Sequence, residues 1–233
     1  HLPNPHLETR AALPGHTAGV LCCAASSTWS IAVTGSADHS VIVWDLNRCR
    51  FVRQLKEPDQ PIQLVAIDDQ RGWIAAAAGS EVWVWSINGF LLVHQSTRSA
   101  TNDPPSSMTF VARDFHVDKL GVLVTGHRDC IVMWDIVTNH ARATPHRCRL
   151  EKNTVLSLRQ SSKATCLYMP NTSTLCTGHE DGEVYVWTIP GAATLPKAPQ
   201  EQCIGQCDHR FGFLDVKRAC QGCGALICNK CSI

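Results

Sequence analysis

With 233 residues, 44% of them hydrophobic and 18% charged, the chain has ordinary globular composition and is long enough for one large domain and a small one. A formal net charge of +1 provides no field to hold a polyphosphate, which excludes nucleic acid as an expected partner. No apolar run approaches the roughly 18 to 20 residues that cross a bilayer, the longest, Ile74 to Gly79, being short and rich in alanine.

The chain opens HLPNPHLETR without a methionine, which reads as the C-terminal fragment of a longer protein. From there to residue 188 one sentence recurs: GSADHSVIVWD (35–45), GSEVWVWS (79–86), GHRDCIVMWD (126–135) and GHEDGEVYVWT (178–188). Each version has Gly, a polar turn that in three of the four holds Asp, β-branched residues at alternate positions, then Trp. Alternation of period two predicts strands. The tryptophans Trp44, Trp85, Trp134 and Trp187 lie 41, 49 and 53 residues apart, close to the about 40 to 45 residues of a four-stranded WD40 blade. The expected fold is therefore all-β, a partial or divergent WD40 β-propeller with four recognisable blades over residues 1–188.

By resemblance to WD40 blades, a buried hydrogen-bond chain ties each blade's loops together, and the first repeat holds all the parts in His16, Thr34, Asp38 and Trp44. Repeat three keeps Thr125, Asp129 and Trp134, and repeat four keeps Thr177, Asp181 and Trp187. Their Gly-His pairs, 126–127 and 178–179, fall in the hairpin turn and leave both repeats without a Gly-His pair in the loop leading into the blade. Repeat two has no turn Asp, a shortened turn and a second indole at Trp83, so packing is expected to hold it. All of these residues read as structural, and none as catalytic. Residues 97–107, TRSATNDPPSS, read as a loop, and the basic stretch HARATPHRCRLEKN (140–153) as a solvated insertion or linker.

Residues 189–202 hold three prolines and read as a linker out of the propeller. Beyond them come Cys203, Cys207, Cys220, Cys223, Cys228 and Cys231, three short-spaced pairs. Tetrahedral zinc takes four thiolate or imidazole ligands, commonly from such pairs, and a segment with so little core needs a staple. Zinc is the expected cofactor, with disulfides the competing reading. The other seven cysteines are scattered among strands and read as reduced, mostly buried thiols of a cytosolic protein.

The motifs GHTAGVLCCAASSTWSIAVTGSADHSVIVWDLNRCRFVRQL and GSEVWVWSING resemble the C-terminal WD40 region of the BEACH-domain proteins, the neurobeachin and Chediak-Higashi group of very large scaffolds. The cysteine tail, with its twelve-residue gap, CxxCG and ICNKCS, resembles a FYVE finger, a small treble-clef fold, and points to the autophagy-linked FYVE protein branch. That resemblance implies a truncated finger over 203–233 in which Cys203, Cys207, Cys228 and Cys231 share one ion, while Cys220 and Cys223 await a further pair or a stand-in such as His209. It also implies a reader of phosphatidylinositol 3-phosphate. Here, however, the basic run has only Lys217 and Arg218, both histidines are gone, and no WxxD precedes Cys203. Phe213 and Leu214 occupy the place of the apolar turret, and Phe211 reads as core. The expected function is a non-enzymatic scaffold at endosomal or autophagic membranes on the cytoplasmic side, acting in selective autophagy or vesicle traffic, with protein partners on the propeller and weak lipid binding. Two alternatives stand beside it: a RING-like ubiquitin ligase, against which the GALI spacer lacks the RING histidine, and a purely structural finger.

Overall fold

Alternating β-branched residues between tight turns give the chain its ladders, and in the computed structural model those ladders are antiparallel sheets. The structure describes residues 8–55, 58–111, 119–138, 148–158, 162–171, 173–188, 218–219 and 226–227. The first blade is β1 (Val20–Ser26), β2 (Ile31–Ser36), β3 (Val41–Asp45) and β4 (Arg50–Leu55). The second is β5 (Leu64–Asp68), β6 (Trp73–Ala78), β7 (Glu81–Ser86) and β8 (Leu91–Ser96), followed by a single 3-10 turn, Thr97–Ser99. The third is β9 (Ser107–Val111), β10 (Lys119–Gly126), β11 (Cys130–Thr138) and β12 (Cys148–Ser157). The fourth has three described strands, β13 (Ala164–Asn171), β14 (Thr174–His179) and β15 (Val184–Thr188), and a separate hairpin pairs β16 (Arg218–Ala219) with β17 (Leu226–Ile227). Within each blade the strands lie in chain order, each hydrogen-bonded to the next.

Period two decides which blade each side chain serves. On β6, Trp73, Ala75 and Ala77 pack against blade three, with Leu123, Trp134 and Ile136, while Ile74, Ala76 and Ala78 pack against blade one, with Val33, Val43 and Leu55. Both faces of β6 are thus covered, which is why WIAAAA reads as an unbroken apolar run and every residue in it is buried. Blade three turns its other face, Val122, Val124, Ile131 and Met133, to Leu175 of blade four. The first strands β1, β5, β9 and β13 follow one another from blade to blade, so the four sheets form an arc. At its far end the outer face of blade four is open: Tyr168, Val184 and Val186 are 66 to 70% exposed. At the near end the segment before β1 lies on the outer face of blade one, with Gly15 against the Trp44 indole.

Close approach between blades dictates two glycines. A Cβ at Gly35 would collide with the Ile62 side chain on the way into blade two, and one at Gly126 with Ser107 and Ala164 on the way into blade four. In blade two the hairpin shrinks to Gly79-Ser80 between the paired Ala78 and Glu81, with Gly79 at φ +55°.

Two readings of the sequence are corrected. The stretch 140–153 is not all insertion: from Cys148 onward it is β12, the outer strand of blade three, with Ile136 opposite a buried Leu150. Its polar look is that of an edge strand, because Glu151, Lys152 and Asn153 face solvent. The seven scattered cysteines all carry free thiols, but none is buried; Cys23 and Cys166 are exposed and the others half-buried. Burial is nonetheless enough to push the Cys22 thiol up to about 11.

Candidate functional site

In blade one, Thr34 on β2 and Trp44 on β3 lie in adjacent strands, and the indole Nε1–H donates to Thr34 Oγ1 at 2.8 Å. His16, from the loop before β1, brings Nε2 to the same oxygen at 2.7 Å and Nδ1 to Asp38 Oδ2 at 3.0 Å. A carboxylate only accepts, so Nδ1 carries the proton and Nε2 accepts from the threonine hydroxyl. Asp38 also takes the Thr17 N–H at 2.8 Å and the Ser40 hydroxyl at 2.6 Å. Desolvation opposes its charge, yet the hydrogen bonds from Ser40, Thr17 and His16 outweigh it and hold the carboxyl well below the usual carboxylate range. The structure brings His16, Thr34, Asp38 and Trp44 into one chain of bonds.

Blades three and four build the same Thr-Trp bridge with a histidine from a different place. Trp134 Nε1–H donates to Thr125 Oγ1 at 2.8 Å, and His127 Nε2 lies 2.9 Å from that oxygen. The His127 Nδ1–H donates to the Asp103 carbonyl at 2.9 Å. In blade four, Trp187 reaches Thr177 at 3.0 Å, His179 Nε2 reaches it at 2.9 Å, and His179 Nδ1–H donates to the Ser162 carbonyl at 3.2 Å. Each ring is thus pinned to a backbone carbonyl where blade one uses a carboxylate. Burial pushes the His127 imidazole below its ordinary range, while its bond to Asp103 works the other way.

This corrects the expected roles of two aspartates. Asp129 and Asp181 lie on the hairpin turns, and among the described residues neither carboxylate is hydrogen-bonded to the network histidine as Asp38 is to His16. Asp129 offers its carbonyl to the Leu158 N–H, and Asp181 caps its own turn by accepting the Glu183 N–H at 2.9 Å. The Gly-His pairs at 126–127 and 178–179 supply what a leading loop would have supplied. The sequence contained the signal: in Thr-Gly-His on a strand, residues i and i+2 share one face. A second feature left no such trace. Where the third strand pairs with the fourth, the register slips at the repeat tryptophan in three blades, between Val43 and Trp44, Val84 and Trp85, and Met133 and Trp134. A bulge there adds twist and re-aims the indole.

The six tail cysteines, with His209, Phe211, Phe213, Leu214 and Lys217, lie outside the described residues, as does the whole expected linker, 189–202. Of Arg218 the structure gives the backbone: the ladder Arg218↔Ile227, Ala219↔Leu226 is antiparallel. Those two strands bracket residues 220–225, which include Cys220 and Cys223. Among the described residues no group of His, Cys, Asp or Glu is arranged to hold a metal, and no helix is long and apolar enough to cross a membrane.

Antiparallel sheets whose strands follow in chain order, three of them holding a Thr-Trp-His bridge, define the fold class: WD40-like blades of a β-propeller. The family described as WD domain, G-beta repeat matches residues 7–45, through β1 to β3, and 152–188, from the end of β12 through β13 to β15. Among curated proteins the chain is 26% identical to Beige protein homolog 1 of Schizosaccharomyces pombe over 94% of its length, and 29% identical to WD repeat- and FYVE domain-containing protein 4 of Mus musculus over 79%. It is 33% identical to the Lysosomal-trafficking regulator of Homo sapiens over 40%. The chain spans 10%, 7% and 3% of the lengths of these three relatives. Among solved structures, the computationally designed Ika4 protein superposes with a TM-score of 0.56 at 22% identity, covering 79% of this chain and 99% of that one, which bears on the fold alone.

Proposed function

We infer that this chain is the propeller and zinc-finger part of a non-enzymatic scaffold of the BEACH, WD40 and FYVE type. It works in vesicle traffic or selective autophagy on the cytoplasmic side of endomembranes. One observation carries the non-enzymatic reading: the three histidines of the repeat networks are spent on structure. His16, His127 and His179 each have both ring nitrogens engaged, one on a threonine and one on a carboxylate or backbone carbonyl. What remains free is surface, and surface serves partners. The names of the relatives, with a FYVE domain in one and lysosomal trafficking in another, support the setting.

Zinc belongs to this reading. Cys203, Cys207, Cys228 and Cys231 would hold one ion, with Cys220 and Cys223 on the stretch between β16 and β17 as candidates for a second site. The metal's role there is structural, since thiolate-bound zinc supplies most of the folding free energy of such small modules. Lys217 and Arg218 offer charge to a phosphate, and membrane attraction of about 1 kcal/mol per basic residue makes lipid binding weak.

Metal analysis and vesicle co-sedimentation of the full chain test the proposal. The expected result is about one zinc ion per chain, lost with Cys203→Ser or Cys228→Ser, and salt-sensitive binding to vesicles with phosphatidylinositol 3-phosphate little above vesicles of matched anionic charge. A chain that purifies without zinc, or that assembles ubiquitin chains when supplied with the conjugation enzymes, would overturn it.

A further inference from the structure

A glycine on the second strand marks where one blade receives the next. A Cβ at Gly35 would meet Cys22 of its own sheet and Ile62 at the entry to blade two, and one at Gly126 would meet Ser107 of its own sheet and Ala164, the first residue of β13. A backbone bond accompanies each contact: the Ile62 N–H donates to the Ser36 carbonyl at 3.0 Å and the Ala164 N–H to the His127 carbonyl at 3.2 Å, in both cases on the residue after the glycine. Gly178, followed by His179, holds the same place in blade four. A Cβ there would meet Cys166 of its own sheet and, among the described residues, nothing from a further blade.

Register sets Cys166, Gly178 and Val184 in one row and Tyr168, Cys176 and Val186 in the next, all on one face of blade four. In blade three the matching residues Ile131 and Met133, opposite Gly126 and Val124, are buried in the cluster that blade four closes. Val184 and Val186 stand in the same positions and are exposed. The counterpart of this socket lies at the other end of the arc. Val20 is to blade one what Ala164 is to blade four: each follows a residue whose carbonyl accepts an N–H from the hairpin turn, Gly19 from Ala37 and Lys163 from Glu180. Each also opens a first strand whose register slips at once, between Val20 and Cys22 and between Ala164 and Cys166. Ala164 is fully buried, whereas Val20 and its neighbour Leu21 are 55 and 52% exposed. The segment before β1 lies on Trp44 and leaves both of them open.

We propose that the open face of blade four receives blade one of a second copy of this chain, with Val20 entering beside Gly178 and its N–H reaching the His179 carbonyl. Both halves of the joint are built into one chain and both are exposed, so the ends of a single arc do not close on each other. Two arcs related by a two-fold axis make the joint twice and bring eight blades into one ring, within the roughly four to eight at which propellers close. Burial of Tyr168, Val184 and Val186 against Val20 and Leu21 drives the association. A lipid surface fits this face less well, because the six residues in its two rows include no basic side chain. The proposal goes beyond the scaffold reading and does not pass through the cysteine tail.

Sedimentation velocity of the full chain over a range of concentrations tests it. The expected mass is twice that of one chain. Val184→Asp and Val20→Asp each place an unpaired charge in both joints and are expected to raise the dissociation constant by about a hundredfold or more. Both side chains are exposed in the single chain, so the variants should fold, which circular dichroism checks; Val186→Asp repeats the test should Val184→Asp fail to fold. Mixed together, the Val20 and Val184 variants are expected to pair again, more weakly than the parent, through the one joint that neither change touches. Phe90→Asp, at an exposed apolar site on blade two, is expected to leave the mass unchanged. The proposal is overturned if the chain has the mass of one copy at every concentration, if it grows beyond two copies, or if Phe90→Asp disrupts the pair as much as the end variants do. It is also overturned if Val184→Asp breaks the pair and Val20→Asp does not, which would set the open face against itself. A chain of single-copy mass whose binding to lipid vesicles is lost with Val184→Asp would assign the face to a membrane instead.

Discussion

Blades one and two share strand number, strand order and the bulge at the third-strand tryptophan, yet different forces hold them. Blade one closes on polar groups: Trp44 to Thr34, Thr34 to His16, His16 to Asp38. In blade two the matching register sets Ala76 opposite Trp83 where blade one sets Thr34 opposite Ile42. The bridging hydroxyl is gone and an indole fills the space. Trp83 stacks on His94 at 4.8 Å and runs beside Trp85 at 6.5 Å. The exchange has a cost, because the Trp83 and Trp73 indole N–H groups are buried without a partner among the described residues. A lost hydrogen bond of this kind costs about 1 to 3 kcal/mol, and burying an aromatic on both faces of a central blade offsets it. The repeat thus preserves filled volume at the sheet centre, and a polar network is one way of filling it.

The largest expected effect tests whether packing alone carries blade two. Trp85→Ala should destabilise by about 3 to 5 kcal/mol, the range for a buried aromatic, and Trp44→Ala by a similar amount. Trp29→Ala should cost clearly less. It lies in the turn between β1 and β2, 37% exposed, with its N–H on the Asp69 carbonyl. Urea unfolding of the three variants decides the ranking. A loss at Trp85 no greater than at Trp29 would mean that blade two is not held by its core.

A mirrored pair of isosteric changes sharpens the contrast. Thr34→Val in blade one removes the shared oxygen and strands both the Trp44 N–H and His16 Nε2. Val84→Thr in blade two, at a fully buried site, adds a hydroxyl among apolar neighbours. Each should cost about 1 to 3 kcal/mol, the first through lost partners and the second through absent ones. In a double-mutant cycle Thr34→Val and Trp44→Phe should be less than additive, since either change breaks the same bond. Strict additivity would show the network of blade one to be decoration.

The same contrast explains what the residues disclosed. Third strands were legible because VIVWD, EVWVWS and CIVMWD are buried on both faces and keep their β-branched alternation. Blade two's reliance on packing was legible too, from its missing turn Asp and its second indole. The outer strand β12 was not, because an edge strand whose one fully buried apolar residue, Leu150, is followed by Glu151, Lys152 and Asn153 has the local composition of a loop. The networks of blades three and four were half legible: Thr125, Trp134, Thr177 and Trp187 were in view, but the histidine was sought in a leading loop. Asp129 and Asp181 hold the position that Asp38 holds in blade one, but the anchor role expected of them belongs to the Asp103 and Ser162 carbonyls. Sequence spacing could not show that the Asp103 and Ser162 carbonyls replace a carboxylate as the anchor, since any residue's backbone can accept that bond.

The smallest expected effect separates the two kinds of anchor by pH. Burial lowers the His127 proton affinity in the folded chain, so as pH falls the unfolded chain takes up that proton first. The contribution is fully present above the ordinary histidine range of about 6.5, and is lost as pH drops through it. Asp38 behaves as a carboxylate held low by hydrogen bonds: its contribution is present above about pH 4 and is lost on further acidification, as the folded carboxyl itself protonates. Two windows should therefore appear in urea midpoints followed downward from neutrality, a shallow one near the histidine range and a second below the carboxylate range. His127→Gln should flatten the first and leave the second, and Asp38→Asn should do the reverse. If His127→Gln leaves the upper window at full depth, the carbonyl-anchored histidine is not what titrates there, and the two anchors are alike in all but name.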